Sequence, residues 1–185
     1  ALLSSQGIDP TTVDYVERTD FTLKPLLDNE VDVIDAWITN EVIALTAQGY
    51  EVNNILASDY GIEAYPDVIF TTEELIAKNP ELVERFLRAT IRGLQNAADN
   101  PEEAAKLAVS YAPEELTIEA ETAAMQQSLP LFNPSGSKPG MMTADIWNYM
   151  NTMLTEQGLL AKPLDVAAAY NLSFLQKIYG NDSAG

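Results

Sequence analysis

From Val31 to Ile38 the chain reads Val-Asp-Val-Ile-Asp-Ala-Trp-Ile, β-branched and aromatic and almost continuous in apolar character. Such a run predicts a strand covered on both faces. Upstream, Val13 to Thr19 alternates apolar and polar residues, which predicts another strand. Between them Asp20 is placed to cap a short helix, with Leu23, Leu26 and Leu27 as its buried face and Pro25 near its first turn. Strand, helix and strand in this order predict a βαβ unit with a parallel sheet and a right-handed crossover. A polar Thr39-Asn40-Glu41 turn follows. Asn40 is then expected to cap a helix from Glu41 to Gln48 that Gly49 stops. Val52 to Ala57 and Asp67 to Phe70 read as further strands, separated by an Asp59-Tyr60-Gly61 bend.

From Thr71 onward the pattern is helical. Thr71 and Glu74 have capping-box spacing. Asn79-Pro80 and Asn100-Pro101 each place an N-cap residue before a proline at the first helical position. Between them Leu82, Val83, Phe86, Leu87, Thr90, Ile91 and Leu94 recur at helical spacing. Glu84 and Arg88 form an i,i+4 pair on the other face. Further helices are predicted over 102–110 and 118–127. Asn133 to Gly140 is a loop, Thr143 caps a helix that ends at Gly158, and Val166 to Tyr179 is a final helix. Ala1 to Gln6 read as the end of a helix, with Gly7 as its stop. The chain opens without an initiating Met and reads as a processed or truncated piece of a longer protein.

Composition narrows the chemistry. The 185 residues are 46% hydrophobic, enough for a packed core. The formal net charge is −18, with Asp+Glu 28 against Lys+Arg 10. So acidic a chain repels phosphate backbones and anionic membrane surfaces, which argues against a nucleic-acid partner. The sequence holds neither His nor Cys. The usual neutral-pH general base, thiolate nucleophiles and His- or Cys-ligated metals are therefore missing from it, an argument against an enzyme. No cofactor is called for. Asp28, Glu30, Asp32 and Asp35 lack the glycine and terminal glutamate of a calcium loop and read as a solvated turn.

Glu41 heads the candidate binding residues. A carboxylate beside a strand-end turn can accept charge-assisted hydrogen bonds from a ligand N–H; the competing reading is an acid stabilising its own helix. Trp37 and Tyr60 are candidate stacking platforms for a flat ring, against the alternatives of a core tryptophan and a hinge-packing tyrosine. Tyr65 and Asp67 flank the bend, and Asp67 is carried as a further polar candidate. No basic donor stands at the predicted strand ends, which disfavours nitrate or sulfonate and favours a neutral or cationic heterocycle.

The order and spacing of Asn40-Glu41, Asp59-Tyr60-Gly61, Phe70-Thr71-Thr72 and Phe86 to Gly93 (FLRATIRG) resemble the carboxyl-terminal half of the NMT1/THI5-like family, best from Leu26 to Ala112. These are two-lobed solute-binding proteins of ABC importers, and the family includes binders of thiamine-pyrimidine precursors, flavins, sulfonates and nitrate. The resemblance implies an α/β fold of the periplasmic-binding type 2 kind. Residues 1–58 would complete the second lobe as a βαβ sheet, and 59–185 would cross over and return as helices to the first lobe, whose amino-terminal part is absent. It implies an extracytoplasmic protein that hands a small molecule to a membrane permease. Thr39, Asn40 and Glu41 would meet the ligand's polar edge, since an Asn-Glu pair faces the cleft in the pyrimidine and flavin branches. Where the family has proline next, this chain has Val42. Exposed strand edges of such a partial fold would favour self-association. The rival functions are a sensing module of a membrane signalling protein and a pyrimidine-synthase-like enzyme, the latter at odds with the lack of His and Cys.

Overall fold

The computed structural model describes residues 1–19, 22–132 and 138–181. In chain order its α-helices are α1 (Leu2–Ser5), α2 (Lys24–Leu27), α3 (Glu41–Ala47), α4 (Glu73–Lys78), α5 (Pro80–Asp99), α6 (Pro101–Tyr111), α7 (Ile118–Phe132), α8 (Ala144–Glu156), α9 (Val166–Ala169) and α10 (Ser173–Asn181). Two 3₁₀ turns, Pro10–Thr12 and Ala57–Tyr60, complete the regular structure.

The expected α/β fold of the periplasmic-binding kind, with its parallel βαβ unit, is not what the chain forms: among the described residues there is no strand and no sheet. Residues 13–19, 31–38, 52–57 and 67–70 are non-helical for most of their length but build no ladder. The physical reason is that a strand is a paired object. Alternation and β-branching favour extended backbone, but only a neighbour at hydrogen-bonding distance turns it into a sheet. None of the predicted strands finds such a neighbour among the described residues. Their side chains show it: Val33 and Trp37 are exposed on the segment expected to be covered on both faces, and Phe70 is 90% exposed. Helices close their hydrogen bonds within one segment, so they form where the strands do not.

Local capping explains most helix starts. Asn79 accepts from the Leu82 N–H at 3.3 Å and Thr143 from the Ile146 N–H at 3.4 Å, both as expected. The expected Thr71–Glu74 box is displaced by one residue: Thr72 is the N-cap, its Oγ1 accepting from the Leu75 N–H at 3.1 Å. The single helix expected over 166–179 is two. Tyr170 is extended, and Asn171 Oδ1 accepts from the Ser173 N–H at 2.9 Å, so the Asn side chain offers the backbone a fresh start. Part of the 133–140 loop, the Asp20 cap and the tail after Asn181 lie outside the described residues.

The chain divides into two compact units, one of residues 1–60 and 101–128, the other of 61–100 and 129–185. In the first, α1 packs on the 3₁₀ turn Ala57–Tyr60, and Leu45 and Ala105 are buried. In the second, α10 packs on α5, and Ile91, Leu175, Ile178 and Tyr179 form the core, with Leu87, Met141 and Leu172 packed against it. Gly140 is needed where the chain meets this core. Its φ is +78°, and a Cβ there would stand 3.3 Å from Leu175 Cδ1. Tyr179 donates to the Pro139 carbonyl at 2.5 Å, and the Lys138 ammonium lies 4.8 Å from the centre of its ring. Trp147 stacks on Tyr170 with centroids 5.5 Å apart, and Tyr65 tilts against it at 6.0 Å.

An ionic cluster joins α5 to α10. Glu84 accepts from Lys177 and, at 3.1 Å, from Arg88. Lys177 first and Arg88 second hold the Glu84 carboxyl below its ordinary range. The unfolded chain therefore binds the proton more readily, so this stabilisation is complete above the ordinary glutamate range and is lost as pH falls through the lowered folded value. Lys177→Ala is expected to lower the urea midpoint at neutral pH, and the gap from the parent protein should narrow as the solution is acidified. A gap independent of pH would show that the lysine acts through packing alone.

Candidate functional site

The first unit gathers a polar constellation around the start of α3. Glu41 is its centre and is 6% exposed. Its Oε2 accepts the Trp37 backbone N–H at 2.8 Å, reaching back across the turn 38–40. The Asn40 N–H donates to the Trp37 carbonyl at 3.0 Å, so backbone and side chain close the turn together. Asn40 occupies the N-cap position, but its side chain makes no capping bond. Asn40 is exposed and Thr39 half-buried.

Arg18 stands against the same carboxylate. Its Nη2 lies 3.6 Å from Glu41 Oε1, and its Nη1 donates to the Asp35 carbonyl at 2.5 Å. A buried carboxylate without compensation is costly, and the guanidinium supplies the compensation. The sequence shows no basic donor at the predicted strand ends, but the fold brings Arg18 to this turn. Chain order hid the contact, because Arg18 and Glu41 lie on different segments. A signal was nevertheless present: Arg18 and Lys24 are the two cations of residues 1–60, and Lys24 pairs with its own helix neighbour Asp28.

Trp37 and Tyr60 belong to the same unit. Trp37 is 59% and Tyr60 42% exposed, so each presents ring surface to solvent instead of filling a core. Tyr60 ends the 3₁₀ turn Ala57–Tyr60 that replaces the expected bend. Asp67 is exposed and falls in the second unit. Asp28, Glu30, Asp32 and Asp35 form no metal cluster, and among the described residues no group of acids is placed to hold an ion. Among the described residues, too, no helix is long and apolar enough to cross a membrane.

The family model described as NMT1/THI5 like matches residues 1–104, a stretch that contains Arg18, Trp37, the Asn40-Glu41 pair, Tyr60 and Asp67. The chain belongs to the NMT1/THI5-like family. It is 34% identical over 183 residues to the riboflavin-binding protein RibY of Chloroflexus aurantiacus, covering 95% of this chain and 51% of that protein. It is 28% identical over 169 residues to a protein of Haemophilus influenzae named for thiamine biosynthesis, covering 88% of this chain and 51% of the relative. It is 24% identical over 144 residues to a formylaminopyrimidine-binding protein of Halalkalibacterium halodurans, covering 75% and 43%. The chain thus spans about half the length of the curated relatives it matches.

Proposed function

We propose that this chain serves the reversible binding of a small flat heterocycle, a flavin or an aminopyrimidine, and delivers it outside the cytoplasm to an ABC permease. The observation that carries the reading is the 34% identity, across 95% of the chain, to a protein named for riboflavin binding. The chemistry of the first unit supports it. In this reading Glu41 accepts a ligand N–H, Thr39 and Asn40 add polar contacts, and Trp37 and Tyr60 offer exposed aromatic faces to a ring. Asp67 is a further polar contact. A second reading, catalysis on a thiamine precursor, is favoured by the relative named for thiamine biosynthesis. Against it stands the absence of His and Cys from the sequence, which leaves this stretch without the usual proton carrier at neutral pH.

Thermal unfolding against riboflavin, an aminopyrimidine, thiamine, taurine and nitrate tests the proposal, run on the longest natural chain that carries these residues and on the 185-residue chain side by side. A ligand at a hundred times its Kd adds roughly 2.7 kcal/mol. Riboflavin or the aminopyrimidine is expected to raise the midpoint of the longer chain and to be recovered unchanged. No shift with either heterocycle overturns the binding reading; conversion of the pyrimidine to a new product favours the enzyme.

A further inference from the structure

In the second unit Tyr65 lies along one face of α8 and is held at both ends. The Thr143 N–H donates to its hydroxyl oxygen at 2.8 Å, and its own backbone N–H donates to Met150 Sδ at 3.5 Å. Between these ends its ring tilts against Trp147. Thr143, Trp147 and Met150 stand at i, i+4 and i+7, so one helix face carries all three contacts. Two features of this face are unusual. A thioether is a weak acceptor, yet here it takes a backbone N–H. Beside it, the Trp147 indole N–H is buried and has no hydrogen-bond partner among the described residues. A buried donor in that state is costly. Stacking on Tyr170, with the two ring planes 1° apart, fixes the indole, so its N–H is not free to turn toward another acceptor. Residues three apart on a helix are neighbours, and one weak acceptor at position 150 therefore stands beside two donors.

We propose that Met150 is an oxidation site for peroxide-class oxidants, and that its sulfoxide passes the acceptor from the Tyr65 N–H to the Trp147 N–H. The sequence holds no Cys, so methionine is the sulfur that such an oxidant meets. Met150 is half-buried, which leaves a path for so small a reagent. A sulfur lone pair attacks one peroxide oxygen, the O–O bond breaks, and the departing hydroxide takes the proton of the transferred oxygen. The thioether is oxidised by two electrons to the sulfoxide, and the peroxide is reduced to water. The product carries a strong acceptor oxygen on a flexible side chain. The Trp147 N–H gains the partner it lacked, and the Tyr65 N–H loses the sulfur that held it. Residues 61–65 are then tied to α8 through the Tyr65 hydroxyl and ring alone. Among the described residues Met150 is the methionine whose sulfur accepts a hydrogen bond, so oxidation of Met125, Met141, Met142 or Met153 leaves the Tyr65 bond in place. Methionine sulfoxide reductases reverse the step, which makes the exchange a switch and not a lesion.

The test treats the longest natural chain carrying these residues with hydrogen peroxide. Tandem mass spectrometry then locates the sulfoxides, and amide hydrogen exchange follows residues 61–70. Met150 is expected to gain one oxygen, and exchange at the Tyr65 amide is expected to speed up roughly three- to tenfold, the loss of one modest hydrogen bond. Treatment with the two methionine sulfoxide reductases should return the slower rate. Met150→Leu removes the sulfur, so its Tyr65 amide should exchange fast before peroxide and no faster after it. Trp147→Phe removes the competing donor, so in that variant oxidation should leave the Tyr65 amide protected by the sulfoxide oxygen. The measurement on the parent protein needs no variant and stands even where a substitution harms folding. A parent protein whose Met150 resists peroxide while its other methionines react overturns the inference. So does a Met150 sulfoxide that leaves exchange at Tyr65 unchanged, and so does a Trp147→Phe variant that responds to peroxide as the parent does.

Discussion

Ile178→Ala is expected to cost about 2–5 kcal/mol of stability in the second unit. Ile178 is fully buried, in contact with a core whose other buried members are Ile91, Leu175 and Tyr179. Truncation to alanine removes the apolar surface it buries and leaves a cavity that neighbours on two helices fill only in part. The size of the effect relative to the whole matters more than its absolute value. Domains are stable by about 5–15 kcal/mol, and so small a core has few other contacts to draw on. The helix that bears Ile178 has nine residues. Helices shorter than about 12–15 residues are marginal alone in water, so α10 depends on this packing to exist. Urea unfolding followed by far-ultraviolet circular dichroism measures the change. Ile178→Val, expected to cost about 0.5–1.5 kcal/mol, serves as the graded control. An alanine variant with the midpoint of the parent would show that the α5–α10 contact is not what holds the unit together.

That contact also shows what the sequence made legible. The helical recurrence of Leu87 and Ile91 identified the buried face of α5, and the Asn79-Pro80 signal located its start, because periodicity and capping are both local properties of a helix. The predicted sheet was not legible for the converse reason. Val31 to Ile38 carries the composition of a strand, but its partner must come from elsewhere in space, and composition does not say whether a partner arrives. The same limit hid Arg18. Glu41 and Trp37 are four residues apart and could be linked by inspection, whereas Arg18 reaches them only through the path of the chain. Asn40 was named as the cap of α3 from its residue type. Its side chain makes no capping bond, and the Glu41 side chain instead spans the turn 38–40 back to the Trp37 N–H, a bond that leaves the first N–H groups of α3 uncapped by a side chain.

Glu41→Gln is expected to abolish the thermal shift that riboflavin or an aminopyrimidine confers on the longest natural chain. The substitution is nearly isosteric, so the consequences follow from charge and hydrogen-bond polarity. Glutamine keeps one acceptor oxygen. If that oxygen stays with the Trp37 N–H, the amide NH₂ turns toward Arg18, and two donors face each other where a carboxylate and a guanidinium had met. A ligand N–H that sought Oε1 would meet a donor too. The unliganded protein should therefore lose about 1–3 kcal/mol. The roughly 2.7 kcal/mol that a ligand at a hundred times Kd supplies should vanish as well. The two losses separate the two roles of the residue. A lower unliganded midpoint with the ligand shift intact would assign Glu41 to holding the turn 38–40, and the ligand contact would have to be sought at Trp37 or Tyr60. Loss of the shift with a small change in the unliganded midpoint would place the carboxylate against the ligand. The size of that shift with riboflavin and with its N3-methyl derivative would then show whether the lost bond was to a ring N–H.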